Sequence, residues 1–154
     1  MTDKIIISDT TCLIALERIG KLHILKDTFT EILTTQEVSE EFGKQFPDWI
    51  SIKKVENLGQ QIELEKILDK GEASAIALSL ETPNSILIID EKKGRAIATE
   101  YHLKIIGTLK VLLKAKEKGC IPSVKEIIKQ LEQSNFWFSK PLVESRLKEA
   151  HEML

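Results

Sequence analysis

A chain of 154 residues, 42% hydrophobic and 30% charged, has enough apolar material for one globular domain with a real core and little for a second. Its 22 Lys and Arg against 24 Asp and Glu give a net charge of −2, which excludes a protein that grips nucleic acid through a global positive field but leaves room for a local basic patch. No segment reaches the apolar length of a membrane helix, and the start, Asp3-Lys4 before only three isoleucines, lacks the apolar stretch of a signal peptide, so a cytoplasmic protein with no membrane contact is expected.

In chain order, Ile5-Ile6-Ile7-Ser8 reads as a strand, and Thr11 to Ile19 as a helix with Cys12, Leu13, Ile14, Leu16 and Ile19 available for burial, stopped at Gly20. Leu22 to Phe29 predicts a second short helix and Glu31-Ile32-Leu33 a brief strand. From about Thr35, the residues Val38, Phe42 and Phe46 lie on one helical face that Pro47 interrupts. Trp49 to Val55 alternates as an edge strand does. Gln60 to Leu68 is amphipathic through Ile62, Leu64, Ile67 and Leu68, and Gly71 precedes the strongly helical run Ala73 to Leu78.

A turn at Glu81 to Ser85 leads into the apolar run Ile86-Leu87-Ile88-Ile89, then a helix across Ala96, Ile97 and Ala98, and a short strand at Leu103 to Ile106. Thr108 to Lys118 predicts another helix. Pro122-Ser123 opens the next, with Ser123 and Glu126 spaced as a capping box, and after Phe136-Trp137-Phe138 a last helix starts near Pro141. Strands alternating with helices predict an α/β fold, an α/β/α sandwich around a mostly parallel central sheet. A single domain over 1–154 is expected, with 134–154 a C-terminal helical extension packed on it.

Two cysteines, Cys12 and Cys120, stand far apart beside apolar neighbours and read as buried free thiols. The histidines His23, His102 and His151 form no spaced pair, which gives a zinc site little support. The chemistry therefore rests on oxygen. Three predicted strand-to-helix junctions have polar heads: Ser8-Asp9-Thr10-Thr11, Asp90-Glu91 and Gly107-Thr108. In a parallel sheet such junctions share one edge, so Asp9 and Asp90 can face one cleft. Helix capping explains any one of them equally well. Close carboxylates repel and one takes up a proton unless a divalent cation lies between them; by that repulsion Asp90→Asn is expected to be at least as stable as wild type without metal. Glu72, after Gly71 at a helix start, and Glu40 or Glu41 are further candidates, with dipole complementarity and plain solvation as the alternatives.

The segments Ser8-Asp9-Thr10-Thr11, Val38-Ser39-Glu40-Glu41-Phe42, Gly71-Glu72-Ala73-Ser74-Ala75-Ile76-Ala77-Leu78, Ile88 to Ala98 and Gly107-Thr108-Leu109-Lys110-Val111-Leu112-Leu113 occur in the order seen in PIN-domain proteins. The chain resembles a small prokaryotic subgroup of toxin–antitoxin ribonucleases of the VapC type. The resemblance implies a metal-dependent endoribonuclease in which Asp9, Glu41, Glu72 and Asp90 hold Mg2+ or Mn2+ and carry catalysis, Glu41 being preferred to Glu40 because it precedes the apolar Phe42. Glu91 beside Asp90 and the hydroxyl of Thr108 stand where many such nucleases have another acid, which puts a second ion in doubt. It further implies an RNA substrate, a small antitoxin partner and a homodimer.

Hard oxygen ligands without His or Cys select Mg2+ or Mn2+ over zinc. Thr10, Thr11 and Thr108 can position water or phosphate, or simply cap helices, and Arg95 can orient a carboxylate or grip a phosphate. A non-catalytic PIN-like module that binds RNA or protein through the same cleft is the alternative. Other phosphate enzymes fit less well: a haloacid-dehalogenase phosphatase needs a second aspartate at the position of Thr11, and a receiver domain needs paired acids where only Asp9 stands.

Overall fold

The computed structural model describes residues 5–153; the reading of Asp3 and Lys4 lies outside them. Five strands, β1 (Ile5–Ser8), β2 (Glu31–Thr34), β3 (Ile50–Ile52), β4 (Ser85–Ile88) and β5 (Ile105–Ile106), form one sheet in the order β3-β2-β1-β4-β5. Every pairing is parallel, so the sheet is wholly rather than mostly parallel among the described residues.

Parallel strands need covered crossovers, and helices lie on both faces. Side chains therefore alternate between two cores. Ile6, Ile32, Ile86 and Ile88 enter one, with α1 (Thr10–Arg18), α2 (His23–Thr28), α7 (Thr108–Glu117), α8 (Val124–Gln133) and α9 (Lys140–Glu149). Ile7, Leu33, Leu87 and Ile89 enter the other, with α4 (Leu58–Glu65), α5 (Lys70–Glu81) and α6 (Lys92–Glu100). This double burial is why the strands read as unbroken apolar runs. The small Ala73, Ala75 and Ala77 let α5 lie close to the sheet, and it is buried almost throughout.

Several sequence expectations change here. The helix α3 (Gln36–Phe42) ends at Gly43, which adopts a left-handed φ of 77°, not at Pro47; Phe46 lies beyond it yet stays on Phe42, ring centroids 4.7 Å apart. In and after α4, Leu64 and Leu68 are buried while Ile62 and Ile67 are exposed, because only one side of that segment meets the core. The edge strand β3 buries Ile50 but leaves Ile52 exposed. Cys12 is buried, whereas Cys120 is only half-buried and donates to the Asp27 carbonyl at 3.2 Å.

The capping box is half realised. Ser123 Oγ accepts from the Glu126 amide at 3.1 Å, but the next free amides at the start of α8, those of Val124 and Lys125, donate to the Glu152 carboxylate from beyond α9, at 2.7 and 3.0 Å. Lys116 Nζ also reaches Glu152, at 2.9 Å. Leu147 and Ala150 of this C-terminal segment enter the same core as β1. Phe136 and Phe138 pack edge to face at 5.1 Å on that core while Trp137 stays 68% exposed, so the aromatic triplet makes no common platform. No helix among the described residues is long and apolar enough to cross a membrane.

Candidate functional site

The sheet order decides where the acids meet. The chain leaves β1 toward β2 on one side and returns to β4 on the other, so the C-terminal ends of β1 and β4 flank the point where winding reverses, the crevice in which open parallel sheets bind ligands. Asp9 follows β1 and Asp90 follows β4 by two residues. The Asp9 amide donates to the Ile88 carbonyl at 3.1 Å, which ties the two strand ends together.

Asp9 occupies the N-cap position of α1 in extended backbone, but its side chain caps nothing. Its residue is 3% exposed, and Oδ1 is buried with no hydrogen-bond partner. Capping therefore does not account for Asp9. Burial pushes its carboxyl up to about 7, partly offset by the nearby Thr10 amide and reinforced by the charges of Asp69, Glu41 and Asp90. Glu72, in the first turn of α5 and 5% exposed, is pushed up to about 8 by burial and then by Asp69, Asp9, Glu91 and Glu41. Burial leads both shifts, and the neighbouring carboxylates add to it.

Glu41 joins two other helix starts to the group. Thr10 Oγ1 donates to its Oε1 at 2.5 Å, and the Gly71 amide donates to its Oε2 at 3.2 Å. Gly71 is glycine for this reason: a Cβ there would lie 2.8 Å from Glu41 Cδ and 2.9 Å from Oε2. Glu40 instead turns to the surface, where Gln36 reaches it. Of the two glutamates, Glu41 is the one turned toward Thr10 and Gly71. Gly94 makes similar room for Glu72, whose Oε2 would stand 3.0 Å from an added Cβ.

Asp90 is bound at both oxygens by Thr108, Oδ1 by the amide at 2.9 Å and Oδ2 by the hydroxyl at 2.5 Å. Asp90 therefore caps α7 from a neighbouring strand, while the Thr108 hydroxyl caps no helix and holds Asp90 instead. Repulsion alone no longer predicts a stable Asp90→Asn protein, because the amide nitrogen that replaces one oxygen cannot accept the bond that oxygen receives. Arg95 Nη1 donates to the Ile89 carbonyl at 2.7 Å, orienting the guanidinium beside Asp90 rather than pairing it with a carboxylate. Thr11 takes no part in these hydrogen bonds. Glu91 caps α6, accepting from Lys93 at 3.3 Å, and is exposed.

One acid escaped the sequence reading. Asp69 caps α5, accepting from the Glu72 amide at 2.8 Å, and its charge bears on both Asp9 and Glu72. Its signal was present as an aspartate three residues before a glutamate at a helix start.

The donor set is all oxygen, as a hard divalent ion requires, and the orphaned Asp9 Oδ1 is an open ligand position. The spacing is looser. Among the described residues no three of these side chains stand close enough to share an ion as placed. Glu41 and Asp90 are meanwhile held by the hydrogen bonds above, so binding would draw the carboxylates inward.

Searches among curated proteins and among solved structures found no match. A family model described as a PIN domain matches residues 5–152, nearly the whole chain. With Asp9 and Asp90 at the strand ends that flank the switch point of an all-parallel sheet, the chain belongs to the PIN-domain family, whose members are commonly nucleases.

Proposed function

We propose that this protein is an Mg2+- or Mn2+-dependent endoribonuclease, with Asp9, Glu41, Glu72 and Asp90 as the acidic centre. The observation that carries the reading is the buried, unpartnered Asp9 Oδ1 among acids, a costly arrangement for a protein to keep unless a cation completes it. A bound divalent ion would polarise a phosphate oxygen and lower the pKa of a water. Asp9 and Glu72, their carboxyls raised toward neutrality, supply the open oxygens. Thr10 fixes Glu41, Thr108 fixes Asp90, and Arg95 stands beside Asp90 where it can meet a phosphate.

The test is cleavage of RNA by purified protein in Mg2+ or Mn2+. Activity should stop with a chelator and vanish in Asp9→Asn; cutting undiminished in that variant belongs to a contaminant and refutes the assignment. A second reading, a PIN-like module that binds RNA or protein without cutting, is favoured by the unclosed donor spacing and by the hydrogen bonds that occupy Glu41 and Asp90. RNA affinity that survives with no cleavage in either metal selects it.

The reading extends to a toxin restrained by a small antitoxin, supported by the family resemblance and by mutually repelling carboxylates that an inserted arginine would satisfy. Expression of wild type but not Asp9→Asn should arrest growth, and equal growth at matched protein levels refutes the toxin. A homodimer is supported by the exposed Leu58 and Ile62 of α4, and light scattering at micromolar concentration decides it.

A further inference from the structure

A cleft of about 220 Å3 opens beside Asp90, lined by Arg95, Gly107, Lys110, Leu142 and Arg146 with Leu109 behind. Three cations from three helices, α6, α7 and α9, thus border one end of the acidic centre in a chain whose net charge is −2. They are not distributed as a solvated face would be. Arg95 is oriented by the Ile89 carbonyl, and Lys110 and Arg146 converge on a single carboxylate: Lys110 Nζ lies 3.5 Å from Glu149 Oε2, and Arg146 Nη1 bonds Glu149 Oε1.

Two cations sharing one surface carboxylate form an anion site with an internal occupant. Exposed ion pairs of this kind contribute little, so a phosphate that offers more acceptor oxygens can replace Glu149. Leu142, exposed at the rim, gives the same cleft an apolar wall. A phosphate with an adjacent unstacked base matches both features, and a duplex hides its bases.

We propose that Lys110, Arg146 and Arg95 form a subsite for a non-scissile phosphate of single-stranded RNA, with Glu149 holding the cations together until the strand displaces it. This rests on the nuclease reading of the acidic centre, from which its test is separable.

The experiment is fluorescence anisotropy with a labelled ten-nucleotide single-stranded RNA in chelator, over a series of salt concentrations. Lys110→Gln and Arg146→Gln should each weaken binding about fivefold and lower the slope of log affinity against log salt by about 0.7, the value for one phosphate contact on a single strand. Glu149→Gln should bind about twofold to threefold tighter, a change that misfolding does not produce. Lys125→Gln on α8 is the charge-matched control. Lys110 and Arg146 variants that match Lys125→Gln in affinity and slope, or Glu149→Gln binding no tighter than wild type, overturn the subsite. Absence of Asp9-dependent cleavage alongside altered slopes removes the nuclease reading and supports the subsite as RNA-binding.

Discussion

Asp9→Asn should stabilise the metal-free protein, by an amount that depends on pH. In the folded protein burial holds the Asp9 carboxyl near 7 against 3.8 for an unperturbed group. Between those values the unfolded chain has released a proton that the folded chain still keeps, so stability falls as pH rises and is level above about 7. At 1.36 kcal/mol per unit, a shift of this size is worth about 4 kcal/mol in the full limit. Water drawn to the ionised carboxylate recovers part of it, and about 2 kcal/mol corresponds to a Tm gap of about 4–8 °C in a protein of this length.

The assay is thermal unfolding of both proteins in chelator from about pH 4.5 to 8.5. The gap should be small at the acid end, where folded Asp9 is a neutral carboxylic acid nearly isosteric with Asn, and widen to about pH 7. Excess Mn2+ should then reverse the order, since it stabilises only the protein that binds it, by about 2.7 kcal/mol at a hundredfold excess over Kd. A pH-independent gap refutes the idea that Asp9 is an uncompensated buried carboxylate. An order that Mn2+ leaves unchanged refutes the metal.

Asp90→Asn should behave in the opposite way, melting below wild type without metal because its amide keeps one oxygen for the Thr108 amide but presents a nitrogen where the Thr108 hydroxyl donates, a loss of about 1.5–3 kcal/mol for a bond to a charged group, and equal or higher stability would show that repulsion outweighs it. Gly71→Ala should leave the fold near wild type, since alanine favours the helix by about 0.5–1 kcal/mol, yet push Glu41 away and weaken both Mn2+ binding by calorimetry and RNA cleavage at least tenfold. Glu152→Gln should lower stability by about 1–3 kcal/mol in denaturant titrations. Burial raises the Glu152 carboxyl, but donation from Lys116, the Lys125 and Val124 amides and Ser123 outweighs this and brings it down to about 2; its contribution is present above the unperturbed 4.5 and lost as pH falls from there toward 2, so the Glu152→Gln gap should close in acid.

What the sequence determined by itself is local and periodic. Unbroken runs such as 5–8 and 86–89 state that both sheet faces are covered, and the polar residues closing them state that Asp9 and Asp90 end up at one sheet edge, because parallel strands all point their C-terminal ends the same way. The cap at Ser123 was legible for the same reason, since a cap and its amide lie within one turn. Relations across the fold were not. Glu40 and Glu41 are adjacent, and only the direction of α3 relative to Gly71 and Thr10 separates them. Ile62 and Ile67 carry the periodicity of a buried face but stay exposed, because apolar spacing does not say which side of a helix finds a partner. The Glu152 clamp on α8 and the convergence of Arg95, Lys110 and Arg146 beside Asp90 join segments far apart in the chain, and the packing of α9 against α7 brings Arg146 to Lys110 and Glu152 to α8. Spacing along a chain encodes what lies within a turn or across a pleat; which strand pairs with which, and what then faces the crevice, belongs to the tertiary structure.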